Sequence, residues 1–317
     1  LGQRIFAQDY PAPLEVIVVN DGKNEEVKDA VTRLQTHHRN LHITFTPMQA
    51  RNLSRKKLAV TVGIKAARHD TILLTDDSCM PSSDAWLKSM CVPLADPVTE
   101  IVIGHSRHTT DDSPSRTFSR AADATVYLSA ALRGRPYRGD GHNLAYRRDT
   151  FFRNKGFSRS LNLHDGDDDI FINEVASQRN TAVALSTDAI ISTDAGNSAK
   201  SYRQECIRRA FTARFLRKGA RRFFGWSSTM MWLWVGLSAA ACVISCPDMT
   251  GCAIVAAETL LLWIPIALTW HRTIKTLEGR TVPVISIPFR LMWRPMRNMR
   301  YRISSRRHRS DHYTWTK

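Results

Sequence analysis

Acidic residues are under-represented in this chain: 29 Asp and Glu stand against 45 Lys and Arg, a formal charge of +16 over 317 residues. Six cysteines, Cys79, Cys91, Cys206, Cys242, Cys246 and Cys252, fall at no metal-ligand spacing, which excludes a zinc module. They are also too few and scattered for a disulfide framework and fit reduced thiols in a cytoplasmic setting. No internal repeat and no low-complexity tract appears, which excludes solenoid and linker architectures. The basic excess is uneven. It gathers at Arg203 to Arg222 and Arg272 to Lys317, while the first half is nearly balanced.

Between those basic blocks lie two apolar stretches, Trp226 to Cys246 and Gly251 to Trp270, separated by Pro247-Asp248-Met249-Thr250. Each is about 20 residues, enough for a helix to cross about 30 Å of hydrocarbon. A transmembrane helical hairpin is therefore expected over 226–270, with Trp226, Trp232, Trp234 and Trp270 at the interfaces. The connection carries no Lys or Arg and both outer flanks are rich in them, so both flanks are expected on the cytoplasmic face. A buried helical hairpin is the alternative. Glu258, mid-span, must face a helix partner or carry a proton. Val282 to Trp293 is too short to span and reads as interfacial, with a basic tail over 271–317 drawn to anionic lipid. Binding to a lipid bilayer accounts for the charge, and no nucleic acid partner is expected.

Acidic residues, scarce overall, are concentrated at two places: Asp76-Asp77-Ser78 and Asp167-Asp168-Asp169. Packed carboxylates repel unless a cation or a chemical role compensates them. Both sit in a region that alternates strands and helices. Leu14 to Val19 is a short β-branched run ending in Asn20-Asp21-Gly22, a turn sequence. His42 to Phe45, Thr71 to Thr75, Ile101 to Gly104 and Ala182 to Ile191 supply further strands, and Lys57 to Arg68 has helical spacing with one small-residue face. Residues 1–199 thus read as an α/β domain with a mostly parallel, Rossmann-like sheet. Asp76 and Asp77 lie at a strand's carboxyl end, where ligands bind in such sheets. Residues 200–225 read as a basic amphipathic interfacial segment.

The ordered set Gln8-Asp9-Tyr10-Pro11, LEVIVVND at 14–21, Lys56 to Ala67, DTILLTDDSC at 70–79, Gly141 to Arg148 and GDDDIFIN at 166–173 resembles bacterial membrane-anchored family 2 glycosyltransferases. The resemblance covers about residues 1–195. It implies the nucleotide-diphospho-sugar transferase (GT-A) fold and an inverting, hexosyltransferase-type enzyme. Such an enzyme takes a UDP- or GDP-linked nucleotide-sugar donor and a glycan or lipid-linked acceptor at the cytoplasmic face of the bacterial inner membrane. Asp21, Lys57 and Asp76 are then donor-binding, and Asn143 and Asp169 lie on the acceptor side. Asp76, Asp77 and Ser78 would hold Mg2+ or Mn2+. One of Asp167 and Asp168 is the base that takes the acceptor's proton, the registers allowing either. Two positions depart from the family pattern. Asn20 stands where a first Asp is usual, and Ser78 replaces the second Asp of the metal motif, so that Asp77 takes over, Ser78 contributes, or metal dependence weakens. Lys56 and Lys57 either approach the diphosphate or are solvated helix-start cations.

Gln204 and Arg208 are remnants of a donor-closing motif or part of the basic interfacial helix. The resemblance also predicts a strand and turn ahead of Leu1, so the chain reads as a truncated piece lacking an inner strand. The competing expectation is a non-catalytic membrane scaffold that retains the fold.

Overall fold

The computed structural model describes residues 2–20, 24–47, 53–109, 113–194, 198–245 and 249–307. In chain order it contains α1 (Gly2–Phe6), β1 (Val16–Asn20), α2 (Glu25–Gln35), β2 (Leu41–Phe45), α3 (Arg55–Ala66), β3 (Thr71–Leu74), β4 (Cys79–Pro81), α4 (Trp86–Cys91), β5 (Ile101–Ile103) and β6 (Ser106–His108). There follow α5 (Pro114–Leu132), β7 (Leu144–Arg147), α6 (Arg148–Arg153), α7 (Asp169–Val175), β8 (Thr181–Val183), β9 (Ile191–Thr193), α8 (Ala199–Thr212), α9 (Lys218–Ser245), α10 (Met249–Glu278) and α11 (Ile287–Arg307).

The strands form three sheets, ordered β1-β2, β3-β7-β5-β8 and β4-β9-β6. A mostly parallel sheet was the expectation, and here the structure corrects it. β7 lies antiparallel to both β3 and β5, and β4 antiparallel to β9; only β1-β2, β5-β8 and β6-β9 are parallel. The cause is the route of the chain. Two strands that both oppose β7 must run the same way, so β3 and β5 keep the parallel sense of a crossover fold. β7 arrives from the other end after α5 and slots between them. Only four residues long and running straight into Arg147-Arg148, it carries little strand signal in sequence.

Ile101, Val102 and Ile103 are all fully buried, as expected of a central strand covered on both faces. One face packs Ile103, Leu144 and Tyr146 against Tyr127 and Leu128 of α5 and an aromatic cluster of Phe151, Phe157 and Phe171. The other packs Val102 and Ala145 on Trp86 and Met90 of α4. Helix α5 starts at Ser113, which accepts from Arg116 N, with Pro114 in the first turn, a favourable opening.

Among the described residues one helical span, Ala253–Glu278, is long and apolar enough to cross a membrane; an 18-residue stretch of its 26 residues has a mean hydropathy of 1.8. The earlier apolar stretch, Trp232–Ser245, is shorter, and residues 246–248 lie outside the described set. The expected spanning hairpin is therefore not shown, although α9 and α10 touch through Trp234 and Trp263, ring centroids 4.8 Å apart. Leu260, Leu261, Ile264 and Leu268 are exposed along α10, as is Glu258. The end of α10 is different. Ile274 and Leu277 are buried against the α/β domain, and Glu278 lies 3.5 Å from His105, both enclosed. The last helix also departs from the sequence reading: α11 runs for 21 residues in place of a short interfacial segment.

Candidate active site

The site is assembled by sewing the start of α3 to the loop over 160–168. Ser54 caps α3 by accepting from Lys57 N, and its hydroxyl donates to His164 O at 2.7 Å. Lys57, fully buried, donates from Nζ to Ser160 O (2.6 Å), Asp165 O (2.8 Å), Leu163 O (3.2 Å) and Ser160 Oγ (3.2 Å). Burial pulls its pKa down to about 8, against the pull of Asp167 and Asp165. The residue assigned to the donor thus ties down the loop that carries the second acidic cluster. Its neighbour Lys56, one helical step round, points at the cluster itself, with Nζ 3.0 Å from Asp167 Oδ2.

The loop then turns at Gly166, whose φ of +100° is a conformation that side-chain-bearing residues avoid. A Cβ there would also lie 2.6 Å from Ile170 Cδ1. Gly166→Ala is expected to cost about 1–3 kcal/mol in an unfolding titration and to displace Asp167 and Asp168.

The three carboxylates that follow are in distinct surroundings. Burial would raise the Asp167 carboxyl, but the Lys56 ammonium outweighs it and holds the group below its usual range. Asp168 caps α7, accepting from Asp169 N at 2.9 Å and from Gly141 N at 3.3 Å. Burial first, then the charges of Asp169 and Asp167, push its pKa up to about 7. Asp169 is buried beside the Arg138 guanidinium at 2.7 Å and accepts from Thr212 Oγ1 at 3.0 Å, joining α7 to α8. The acceptor-side residue of the sequence reading is thus a buried tie between helices.

Opposite lies the loop Gly139 to Asn143. Asn143 is completely buried and saturated: Nδ2 donates to Ala189 O (2.7 Å) and His105 O (2.9 Å), and Oδ1 accepts from Trp86 Nε1 (3.1 Å). The second residue assigned to the acceptor therefore holds the loop from behind. Asp140 accepts from Ser106 N and Oγ, both at 2.7 Å, and lies 3.3 Å from His142 Nδ1. Burial would raise the Asp140 carboxyl, yet these donors keep it well below the carboxylate range, and Asp140 in turn raises His142 despite its burial. At Gly141 a Cβ would stand 3.4 Å from Lys56 Nζ and from Asp168 Cβ and 3.5 Å from Asp167 Oδ2. That small open space is the meeting point of the site. Sequence reasoning missed Asp140 and His142 as site residues, and their only signal was a charged pair beside glycines in Gly139-Asp140-Gly141-His142.

Asp76, beyond the end of β3, faces the same group. Its carboxyl is lowered by a hydrogen bond with Asp77, then by His142 and Lys56, while Asp77 is raised by that same hydrogen bond. The two carboxyls thus shift each other in opposite directions. Ser78, the third metal candidate, has its hydroxyl 3.2 Å from Thr193 Oγ1. Among the described residues no group of three His, Cys, Asp or Glu side chains forms a preassembled metal centre. Asp21 lies outside the described residues.

A model of glycosyl transferase family 21 matches residues 3–299, spanning both the acidic clusters and the C-terminal helices. The chain belongs to glycosyl transferase family 21. The resemblance seen in the sequence was to family 2; the chemistry class agrees, and the family shown is 21. Among solved structures, the mannosyltransferase PcManGT from Pyrobaculum calidifontis, determined with GDP-Man and Mn2+, is similar over 92% of this chain and 82% of its own, with a TM-score of 0.53 and 18% identity. That likeness shows a shared glycosyltransferase fold. Glucosyl-3-phosphoglycerate synthase from Mycobacterium tuberculosis overlaps 56% of this chain and 59% of its own, at a TM-score of 0.34 and 10% identity. No curated protein matches the chain.

Proposed function

We propose that this family 21 glycosyltransferase moves a hexosyl group from a UDP- or GDP-linked sugar to a glycan or lipid-linked acceptor, with inversion, at the cytoplasmic face of a bacterial inner membrane. The observation that carries the reading is Asp168: a carboxyl whose pKa is raised to about 7, set between two glycine-bearing loops and next to a lysine. A group with a pKa near the working pH is suited to take the acceptor hydroxyl's proton. Direct attack on the anomeric carbon by that hydroxyl, displacing the nucleoside diphosphate, inverts the configuration.

Asp167 takes the second role. Held by Lys56, it stays charged and raises Asp168 by repulsion. Lys56, half exposed between the two acidic clusters, is the cation positioned to meet a diphosphate, and His142 with its raised pKa is a second. Lys57 and Asn143 position the two loops from behind.

A divalent cation fits Asp76 and Asp77. Two adjacent carboxylates repel when both are charged, a divalent cation would relieve that repulsion, and Mg2+ or Mn2+ is commonly held by one or two carboxylates with substrate phosphates and water. When bound, the ion would neutralise charge on the departing diphosphate. The hydroxyl of Ser78 is engaged with Thr193, which supports Asp76 and Asp77 as the pair. Calorimetric titration with UDP and with GDP, each with and without Mn2+, tests this. Binding that requires Mn2+ and drops at least about tenfold in Asp76→Asn is the expected result; nucleotide binding in neither condition contradicts it.

The membrane reading rests on the exposed apolar face of α10 and on the pairing of Trp234 with Trp263. With α9 extending the short stretch 232–245 at its amino end, the two helices would form the hairpin over 226–270, and both basic flanks would face the cytoplasm.

A further inference from the structure

Helix α8 was read from sequence as part of a basic amphipathic interfacial segment, and one side of it is fixed to the α/β domain: Tyr202, Cys206, Ile207 and Phe211 are buried, and Tyr301 of α11 packs on the cluster formed with Leu163 and Ile170. Alongside this seam, α8 and α11 leave an open groove of about 510 Å³. Arg203 of α8 and Arg297 and Arg300 of α11 line it, together with Trp293, Met299 and Ile303, and no carboxylate does. The Arg297 guanidinium is anchored on Ser119 Oγ. Arg203 and Arg300 are exposed, and among the described residues no acidic side chain lies within ion-pair distance of either.

Three guanidinium groups lining one groove repel each other and call for an anion, and Arg is the side chain best shaped to take an oxyanion by paired hydrogen bonds. The apolar side chains beside them call for something more than an ion. Phe289, Trp293, Met296, Met299 and Ile303 recur every three or four residues along α11 and are all exposed, with Phe289 at 70% and Trp293 at 64%. An exposed aromatic and aliphatic stripe with Arg300 set into it is suited to a membrane interface, where apolar side chains enter the lipid and a guanidinium meets the headgroups. α11 follows directly from the membrane-type span of α10, through a turn at Gly279 with φ +67°. The groove therefore opens beside the segment most suited to lie in lipid.

We infer that the α8–α11 groove binds the phosphate-bearing headgroup of an anionic membrane lipid, with the acyl chains lying along the apolar face of α11. The site is separate from the carboxylate cluster, and the inference does not depend on which sugar is transferred. It does touch the active site through one helix. α8 presents Arg203 to the groove and Thr212 to Asp169, so an occupied groove braces the helix that fixes Asp169.

The test is calorimetric titration of the detergent-purified full chain with short-chain phosphatidylglycerol, phosphatidylcholine and inorganic phosphate. Phosphatidylglycerol is expected to bind, with the other two at least about tenfold weaker. Arg203→Glu combined with Arg300→Glu should weaken phosphatidylglycerol by about 30-fold or more, given the attraction of each basic residue near an anionic surface. Arg33→Glu with Arg39→Glu makes the same charge change on and just after α2 and should leave lipid binding unchanged. Equal binding of phosphatidylcholine, or phosphate binding as tight as the lipid, would overturn the inference, as would equal loss in the α2 variant. An acidic helical peptide that displaces the lipid and binds more tightly would assign the groove to a protein partner instead. UDP and GDP binding measured on the same variants separates this site from the donor site, since the groove variant should retain it.

Discussion

Asp168→Asn is expected to lower sugar transfer by about 10²- to 10⁴-fold, the contribution of a positioned general base, while the protein remains folded and becomes more stable at alkaline pH. The amide keeps one oxygen, which accepts from Asp169 N so that the cap of α7 survives; the longer contact from Gly141 N, made to the other carboxylate oxygen, is lost. The proton acceptor disappears with it. The stability change has a defined sign. With a folded pKa of about 7 against an ordinary value of 3.8, folded Asp168 holds a proton that the unfolded chain has released between those limits. Stability contributed by this group therefore falls as pH rises from about 4 to 7, and above 7 the whole cost is present. Replacing it with Asn removes that cost, so the melting temperature of the variant should exceed that of the wild type at pH 8 and match it near pH 4. Transfer is measured from UDP- and GDP-sugars to a total lipid extract, with donor hydrolysis as the acceptor-free readout. A variant that loses activity with a lowered melting temperature at pH 8 would indicate a structural role.

Lys57→Met should be the most destabilising single change in the site. Methionine fills nearly the same length but leaves Ser160 O, Leu163 O and Asp165 O without their donor. Unpaired buried acceptors cost about 1–3 kcal/mol each, and even with partial hydration of the loop the total should reach about 3 kcal/mol. That is a large part of the ~5–15 kcal/mol that holds a domain together. Urea unfolding gives the loss directly, and amide exchange should speed up over 160–168, the segment Lys57 holds. If donor affinity falls while stability and exchange are unchanged, Lys57 contacts the nucleotide, as the sequence first suggested.

The contrast between Lys56 and Lys57 illustrates how far sequence alone reaches. Adjacent residues on a helix point about 100° apart, and nothing in Arg55-Lys56-Lys57 says which lysine meets the loop and which the cluster. The loop at 160–165 decides it, from over a hundred positions away. The strands at 16–20, 41–45, 71–74 and 101–103 were legible because β-branched and apolar residues are concentrated there. β4 ends in Pro81, and β6 consists of Ser106, Arg107 and His108; neither carries a hydrophobic signature, and pairing with β9 makes them strands. The acidic clusters were visible since like charges packed together require a reason. Asp140 and His142 were not, because their importance comes from the fold bringing Ser106 to one side of the carboxylate and Asp76 to face the imidazole. Asn143 and Asp169 were noticed as polar residues in suggestive motifs, yet only burial reveals that they tie the site together from behind.

The most direct test of the central claim is the pH dependence of kcat/KM for sugar transfer by the wild-type chain. Asp168 as the base predicts an acidic limb with half-maximal activity near pH 7, activity falling as the carboxyl takes up its proton, and no such limb in the residual activity of Asp168→Asn. A limb near pH 4, or a limb near 7 that persists in the variant, would contradict the account.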